Sequence, residues 1–358
     1  MSRTGRFGLN VAVFLLALCA AALGVRRALA RLGADELQEA GVTRFKLDTY
    51  ARHAADYELV FIGSSRMYRQ VDPEVFDDAL ARRGFSTSSY NLGLPGMWFY
   101  EVLYRANRIA VRAPAALRWM VIELQDPDPG DEPLNQNSQR TIAWHTPRYT
   151  WIACRTELAS ERSLLERLSS AGGHLVQGFM NALNLGLLTS ALDRGTVPLE
   201  FREHAELGRT GYMPLDLEPA ERVRRGRLVR ALLKEPRYLE RQVELHRAAG
   251  AVAAPSGLFT NLARLVGELR QHGIEPIFVL LPPSSRTRTE IVAAHENGVL
   301  PNLIDLEDPG RFPEFYLEPA LRFDKHHLNQ RGAERLTRLL AAACFPILST
   351  PRDRPRRP

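Results

Sequence analysis

Two short segments of the chain combine residue types that could carry out nucleophilic catalysis. Gly63-Ser64-Ser65 follows the apolar run Leu59–Ile62, and Asp324-x-x-His327 lies near the other end of the chain. A serine hydroxyl is a weak nucleophile unless a base takes its proton and a third group orients that base. The spacing lets one short loop place the Asp324 carboxylate against Nδ1 of His327, with Nε2 facing a serine. The pattern therefore predicts a triad of Ser65, Asp324 and His327.

Each of these residues also has a simpler explanation. Ser64 and Ser65 could form only the turn that ends a strand, and His326 and His327 could instead be metal ligands. No other histidine or carboxylate has a spacing that would complete a metal site. The spacing to Asp324 favours His327 over His326 as the base. The sequence therefore predicts neither a metal nor a dissociable cofactor.

Five apolar segments have the length and composition of buried strands. Most of them are separated by helical segments, which is typical of a doubly wound, mainly parallel sheet with helices on both faces. The carboxyl ends of parallel strands share one edge, so Ser65 and the Asp324–His327 segment are expected there together. The predicted fold is a three-layer α/β/α arrangement with strands at 59–62, 87–92, 119–124, 276–281 and 302–306.

Helix start and stop signals organise the rest of the chain. Asp72 before Pro73 is an expected N-cap, as is Asn329, and Gly84 is expected to end a helix. Between 128 and 255 the alternation of strand and helix stops, and the pattern predicts a mostly helical insertion or cap. The predicted parts are an anchor at 1–30, a helical linker at 31–56, an α/β domain at 57–127 and 256–348, the insertion, and a disordered basic tail at 349–358.

The N-terminal segment predicts contact with a lipid bilayer. Residues 8–25 are almost wholly apolar and about long enough to cross a ~30 Å hydrocarbon core. This favours an uncleaved anchor; a signal peptide cleaved after Ala28-Leu29-Ala30 is the alternative. Arginines on both sides of the segment leave its orientation undecided by the positive-inside rule. For 174–192 a buried helix is favoured over a second membrane segment, and for 222–241 a solvated basic helix is favoured over a membrane-surface one.

Charge and cysteine content argue against other classes of protein. The net charge of +6 is spread along the chain without interleaved arginine and aromatic residues, so no nucleic-acid partner is predicted. Cys19, Cys154 and Cys344 have no metal-like spacing. A Cys154–Cys344 disulfide in an oxidising compartment is the alternative to two buried thiols.

The combined motifs resemble those of the SGNH, or GDSL, hydrolase superfamily. Gly63-Ser64-Ser65 is similar to the first block, Gly-Asp-Ser; the segment from Asn91 to Gly96 is similar to the second; and Asp324-x-x-His327 is similar to the last. The resemblance implies a flavodoxin-like sheet, and it makes Gly96 the oxyanion donor with Gly93 as the alternative. Asn91, in the same block, and Arg66 would contact the substrate. The motif G-x-S-x-G of α/β-hydrolases is absent.

The third SGNH block departs from the family pattern. Aligning the strand ends puts Pro127 where the family has an oxyanion asparagine, with Gln125 and Asp126 beside it. Loss of one such donor costs about 2.7 to 4 kcal/mol of transition-state stabilisation. The side chain of Gln125 is the predicted substitute.

The anchor, the Gly-Ser-Ser-Arg sequence and Asp-x-His-His-Leu-Asn resemble a membrane-tethered branch of the superfamily that includes D-alanyl transfer and alginate acetylation proteins. This resemblance implies a body outside the cytoplasmic membrane, in the periplasm. It implies an acyl donor and a cell-envelope glycan as substrates, and a membrane-bound O-acyltransferase as a partner. Arg66 would bind an anionic donor or polymer, or pair with Asp72. The alternative is a non-catalytic glycan-binding or scaffold subunit that keeps the fold.

Overall fold

Five parallel strands form the centre of the protein in the computed structural model. The structure describes residues 3–31, 41–125, 138–160, 162–184, 198, 201–202, 204, 208–218, 222–248, 256–283 and 289–350. The strands are β1 (Leu59–Ile62), β2 (Ser89–Asn91), β3 (Trp119–Glu123), β4 (Glu275–Leu280) and β5 (Leu303–Asp305). Their order is β2-β1-β3-β4-β5, and every pairing is parallel. The predicted α/β class is confirmed, and the mainly parallel sheet proves to be wholly parallel.

Helices connect and surround the strands. The α-helices, in chain order, are α1 (Arg3–Arg31), α2 (Gly41–His53), α3 (Ser65–Gln70), α4 (Pro73–Ala81), α5 (Phe99–Val111), α6 (Gln139–Trp144), α7 (Pro147–Ala159), α8 (Leu164–Ala182), α9 (Arg222–Lys234), α10 (Tyr238–Ala248), α11 (Ser256–Gln271), α12 (Thr289–Glu296), α13 (Glu314–Leu317) and α14 (Gln330–Ser349). Short 3-10 turns span Ala54–Asp56, Leu215–Leu217 and Pro319–Leu321.

The sheet is buried on both faces. Successive side chains of a strand point to opposite sides, so Val60 and Ile62 of β1 enter one hydrophobic core while Leu59 and Phe61 enter the other. Helices α5 and α11 cover the first core, and α4 and α14 cover the second. Each fully buried side chain of this size contributes about 1.5–3 kcal/mol. This two-sided burial explains why the strands are continuous apolar runs.

Two predicted helix starts are confirmed by their side-chain caps. Asp72 Oδ1 accepts hydrogen bonds from the backbone N–H groups of Glu74 (3.0 Å) and Val75 (3.5 Å), with Pro73 as the first helical residue. Asn329 Oδ1 accepts from the Gly332 N–H at 2.9 Å and starts α14. These caps fix where the chain leaves the strand-end edge and turns back along the sheet.

The segment predicted as a linker contributes to the body of the protein. Residues 32–40 lie outside the described residues, but α2 packs against the sheet domain. The Lys46 side chain is fully buried and donates to the Gly93 carbonyl at 2.6 Å. The ring of Tyr50 lies 5.7 Å from that of Tyr90 in β2. A helix with a buried face of this kind packs as part of the domain, and Gly41–His53 has the helical structure predicted for the linker at 31–56.

Within the described ranges, α1 is the helix that is long and apolar enough to cross a membrane, over Arg6–Val25. A signal sequence near an N-terminus has the same properties. At the other end, α14 continues through Ser349, one residue beyond the predicted boundary at 348, and the predicted disordered tail from 351 onward lies outside the described residues.

The regular elements described in the insertion, from α6 to α10, are helices and one 3-10 turn. Cys154 lies in α7 and Cys344 lies in α14, and both are buried free thiols. The Cys154 thiol donates to the Ala171 carbonyl at 3.4 Å, which ties α7 to α8. The alternative of a disulfide between these two cysteines is therefore not realised in this structure.

Candidate active site

Ser65 is the first residue of α3, immediately after β1. Ser64 Oγ accepts a hydrogen bond from the Arg66 N–H at 3.1 Å and so caps the helix. Gly63 is required by close packing, because a Cβ there would lie 2.5 Å from Cβ of Glu123. The strand end, the glycine and the cap together deliver the Ser65 side chain to the carboxyl edge of the sheet.

Asp324 and His327 lie in a tight loop between the last 3-10 turn and α14. Asp324 Oδ1 accepts from the backbone N–H groups of His326 (2.7 Å) and His327 (2.8 Å). The N–H of Phe323 donates to the His327 carbonyl at 2.9 Å and closes the loop. The aspartate thus shapes the backbone that carries its own histidine.

These three side chains form a continuous hydrogen-bonded chain. His327 Nε2 lies 2.9 Å from Ser65 Oγ, and Nδ1 lies 3.0 and 3.1 Å from the two carboxylate oxygens of Asp324. A carboxylate can only accept, so Nδ1 carries the proton and Nε2 accepts from the Ser65 hydroxyl. The arrangement can take a proton from Ser65 and hold the resulting imidazolium beside a carboxylate.

The ionised form of Asp324 is strongly favoured at this place. Burial alone would raise the pKa of Asp324, because only 8% of the residue is exposed and the charged carboxylate loses contact with water. The hydrogen bond from His327, the charge of His327 when protonated and the N–H of His326 outweigh burial and hold the pKa of Asp324 below its ordinary value. Asp324 therefore stays anionic while His327 changes its protonation state.

Arg322 supports the Asp324–His327 loop from inside the protein. Its guanidinium is 1% exposed and donates to four backbone carbonyls, those of Phe315, Tyr316, Asp324 and Lys325. The contacts to Asp324 and Lys325 lie within the loop, and the other two lie in α13. Burial lowers the pKa of Arg322 to about 10, which still leaves it charged near neutral pH. This arginine fastens the irregular loop to a helix.

Glu123 supports the Ser65 side of the site. It is the last residue of β3, and its carboxylate accepts from the Ser64 N–H at 2.7 Å and the Ser64 hydroxyl at 2.9 Å. The same carboxylate accepts from Arg66 Nε at 2.9 Å, and both side chains are buried. Arg66 therefore pairs with Glu123 and not with Asp72, and its guanidinium is used inside the protein. The predicted role of Arg66 in binding an anionic substrate is not what this geometry favours.

The predicted second block is held by internal hydrogen bonds. Asn91 Nδ2 donates to the carbonyls of Met67 (2.8 Å) and Val71 (2.7 Å), and Asn91 Oδ1 accepts from the Gly93 N–H at 2.8 Å. Asn91 therefore ties the turn that follows β2, which contains Gly93 and Gly96, to α3. The Gly93 N–H is engaged by that side chain, so Gly93 does not serve as the alternative oxyanion donor in this geometry.

The remaining predicted oxyanion residues surround the same edge. Gly96 adopts a φ of 61°, a conformation that favours glycine, and its carbonyl accepts from Arg140 Nη2 at 2.9 Å. Gln125 Nε2 donates to Glu123 Oε1 at 3.3 Å, and its side chain is half-buried. Asp126 and Pro127, where the sequence departs from the SGNH pattern, lie outside the described residues.

No cluster of three or more histidine, cysteine, aspartate or glutamate side chains suited to a metal ion occurs among the described residues. The rings of His326 and His327 are 6.4 Å apart and steeply inclined to each other. This geometry favours separate roles for the two adjacent histidines.

No protein-family model and no curated protein matches this chain. The chemistry of the site therefore has to be argued from its own geometry.

Three supporting residues were missed by the sequence analysis: Lys46, Glu123 and Arg322. Glu123 had a visible signal, because a single acid in a buried apolar strand needs a partner. Lys46 lies on a helix whose packing could not be predicted, and its ammonium also lies 3.8 Å from the ring centre of Tyr68. Arg322 is two residues from Asp324, but its sequence position alone does not indicate burial.

Proposed function

We propose that the protein is a membrane-anchored, SGNH-type serine esterase or O-acyltransferase. The observation that carries this proposal is the hydrogen-bonded chain from Ser65 through His327 to Asp324 at the carboxyl edge of a parallel sheet. The strand order β2-β1-β3-β4-β5 is that of flavodoxin-like sheets, which supports the finer fold assignment. No metal or dissociable cofactor is needed for this chemistry.

In the proposed reaction, Ser65 Oγ attacks the carbonyl carbon of an acyl donor while His327 Nε2 takes the hydroxyl proton. The tetrahedral intermediate collapses when His327 returns that proton to the leaving oxygen, and the acyl group remains on Ser65. Asp324 keeps Nδ1 protonated and stabilises the transient imidazolium. Water or a sugar hydroxyl then attacks the acyl-serine, with His327 again acting as base, and Ser65 is regenerated.

The oxyanion would be stabilised by three groups around Ser65. The Ser65 N–H belongs to the first turn of α3, whose N–H groups have no acceptor within the helix. The Gly96 N–H and the Gln125 amide are the further proposed donors. Gln125 must first leave the Glu123 carboxylate, and a hydrogen bond to a charged group contributes about 1.5–3 kcal/mol. Each donor that acts is worth a factor of about 10² to 10³ in rate.

The proposed setting is the outer face of the cytoplasmic membrane. Helix α1 would anchor the protein, and the α/β body would lie in the periplasm, as the family resemblance suggests. The acceptor would be a cell-envelope glycan, and a membrane-bound O-acyltransferase would be a partner. A non-catalytic glycan-binding or scaffold subunit is the second candidate. The engaged Gly93 N–H and Gln125 amide are the observations that favour it.

Labelling with a fluorophosphonate probe tests the proposal on the full chain in membranes. We expect the wild-type protein to be labelled, Ser65→Ala to lose labelling, and His327→Ala to slow it by about 10⁴-fold. His326→Ala is the matched control, because it keeps the backbone N–H that donates a hydrogen bond to Asp324. This variant should be labelled nearly as fast as wild type. If folded wild-type protein reacts no faster than Ser65→Ala, the enzyme proposal fails and the scaffold is favoured.

A further inference from the structure

Helices α7 and α8 form a hairpin with an apolar outer surface. Thr150 and Gly178 are in close contact, since a Cβ at Gly178 would lie 2.6 Å from the Thr150 hydroxyl. The large apolar side chains that the hairpin exposes include Trp151, Leu165, Leu168, Leu175, Val176 and Phe179. Trp151 is 68% exposed and Phe179 is 59% exposed. A concentration of exposed apolar side chains of this kind, most of them on α8, indicates a contact surface on a folded domain.

The polar side of α8 faces the protein. Its buried residues include His174, Gln177 and Asn181. His174 Nδ1 lies 2.9 Å from His145 Nε2, and Asn181 Nδ2 donates to the Ile142 carbonyl at 2.8 Å. Burial lowers the pKa of His174 to about 4, so this histidine is neutral near pH 7. The usual arrangement of an amphipathic helix in water is therefore reversed in α8.

The end of α8 contacts the helix that can span a membrane. Asn184, two residues after α8, donates from Nδ2 to the Ala22 carbonyl of α1 at 2.8 Å. Ala22 lies within the apolar stretch Arg6–Val25, about 4.5 Å along the axis from its end at 1.5 Å per residue. If α1 spans a bilayer, the end of α8 lies at the level of lipid and not of bulk water.

We propose that the α7–α8 hairpin is a second membrane-contact element, whose outer face lies in the bilayer leaflet beside the end of α1. The occupant of the face is lipid because the end of the hairpin contacts α1, through the hydrogen bond from Asn184 to Ala22, within the apolar stretch that could span a bilayer. Leu175, Val176 and Phe179 would contact acyl chains, and Trp151 would lie at the interface with the head groups. Two attachments would fix the rotation of the body about α1, which a single helix leaves free. The proposal does not depend on whether Ser65 is catalytic.

Nitroxide labels on the full chain in vesicles of phosphatidylcholine and phosphatidylglycerol test this surface. Leu175 and Phe179 would each be replaced by cysteine, one at a time, in a Cys19→Ala background. Cys19 is removed because it is exposed, whereas Cys154 and Cys344 are buried and need no replacement. Leu317→Cys, at an exposed position of α13, is the matched control, and Leu16→Cys reports on α1 itself. We expect relaxation by oxygen to exceed relaxation by a water-soluble nickel chelate at 175 and 179, with the reverse at 317.

Three results would overturn the proposal. Nickel access at 175 and 179 equal to that at 317 would mean that the hairpin faces water. Exclusion of both reagents would mean that protein, such as a second copy of the chain, covers the face. If the label at 16 is lipid-exposed in either case, the anchor stands and only the hairpin contact fails. If 16 is exposed to water, α1 does not span and the hairpin proposal fails with it.

Discussion

The two halves of the Ser65–His327–Asp324 chain are held in different ways. Ser65 follows a buried strand, and its position depends on regular structure: β1, the cap at Ser64 and the end of β3 at Glu123. The Asp324–His327 loop lies outside the sheet and the helices, and it depends on hydrogen bonds from its own backbone to Asp324 and on Arg322, which donates to backbone carbonyls. Both supports are buried charged side chains, but the first is an ion pair and the second is a cation among carbonyl dipoles.

Because the supports differ, substitutions in the two halves should lower the stability of the protein in different ways. A buried ion pair that loses one partner leaves an uncompensated charge, which is strongly destabilising. A buried arginine that is shortened leaves carbonyl groups without donors, and the loop can relax because it is irregular. We therefore expect substitutions on the Ser65 side to lower the free energy of unfolding more than substitutions on the loop side.

Glu123→Gln is expected to have the largest effect on stability. The side chains of Glu123 and Arg66 are 0% and 8% exposed, so removing the negative charge leaves a buried guanidinium without a counter-charge. We expect a loss of about 3–5 kcal/mol in the free energy of unfolding, measured by urea titration in detergent.

The double variant Glu123→Gln with Arg66→Met is the control for this change. Because it removes both charges, we expect it to be more stable than Glu123→Gln alone. Equal stability of the single and double variants would mean that the ion pair is not what holds the Ser65 side.

The contrast between the two supports also explains what the sequence could predict. β1, the cap at Asp72 and the spacing of Asp324 and His327 are local features, and all of them could be predicted from a few consecutive residues. Arg66 and Glu123 are 57 positions apart, and their pairing depends on β1 and β3 being neighbours in the sheet. That adjacency is a property of the topology, and sequence proximity alone offers only a nearby acid such as Asp72 as a partner for Arg66.

Packing of helices onto the sheet was the other element beyond prediction. The polar composition of residues 31–56 predicts a linker, yet Lys46 and Tyr50 are buried in α2. A lysine can be buried where its ammonium meets a carbonyl and an aromatic ring, as Lys46 does with Gly93 and Tyr68. Neither partner can be identified before the glycine turn and α3 are folded together.

Arg322→Lys should have the next largest effect, on the loop side. Lysine keeps the charge but cannot reach four carbonyls, so we expect a loss of about 2–3 kcal/mol in unfolding free energy. Labelling of Ser65 by a fluorophosphonate should slow as well, because the loop carries His327. Arg335→Lys is the matched control, because the Arg335 side chain is 51% exposed on α14, and a change within about 0.5 kcal/mol is expected there. If the two lysine variants are equally stable, the carbonyl contacts of Arg322 do not hold the loop.

Asp324→Asn should have the smallest effect on stability and should depend on pH. The pKa of Asp324 is lower in the folded protein than its unfolded value of about 3.9, so its contribution is complete above that pH and is lost as pH falls toward the folded pKa. We expect wild type to exceed Asp324→Asn by roughly 2 kcal/mol at pH 5, and the gap to shrink as pH is lowered to about 2.5. Urea titrations of both proteins across this range measure the gap. A gap that stays constant would mean that the loop is held by hydrogen-bond geometry and not by the charge of Asp324, which would leave Arg322 as the main electrostatic support on this side.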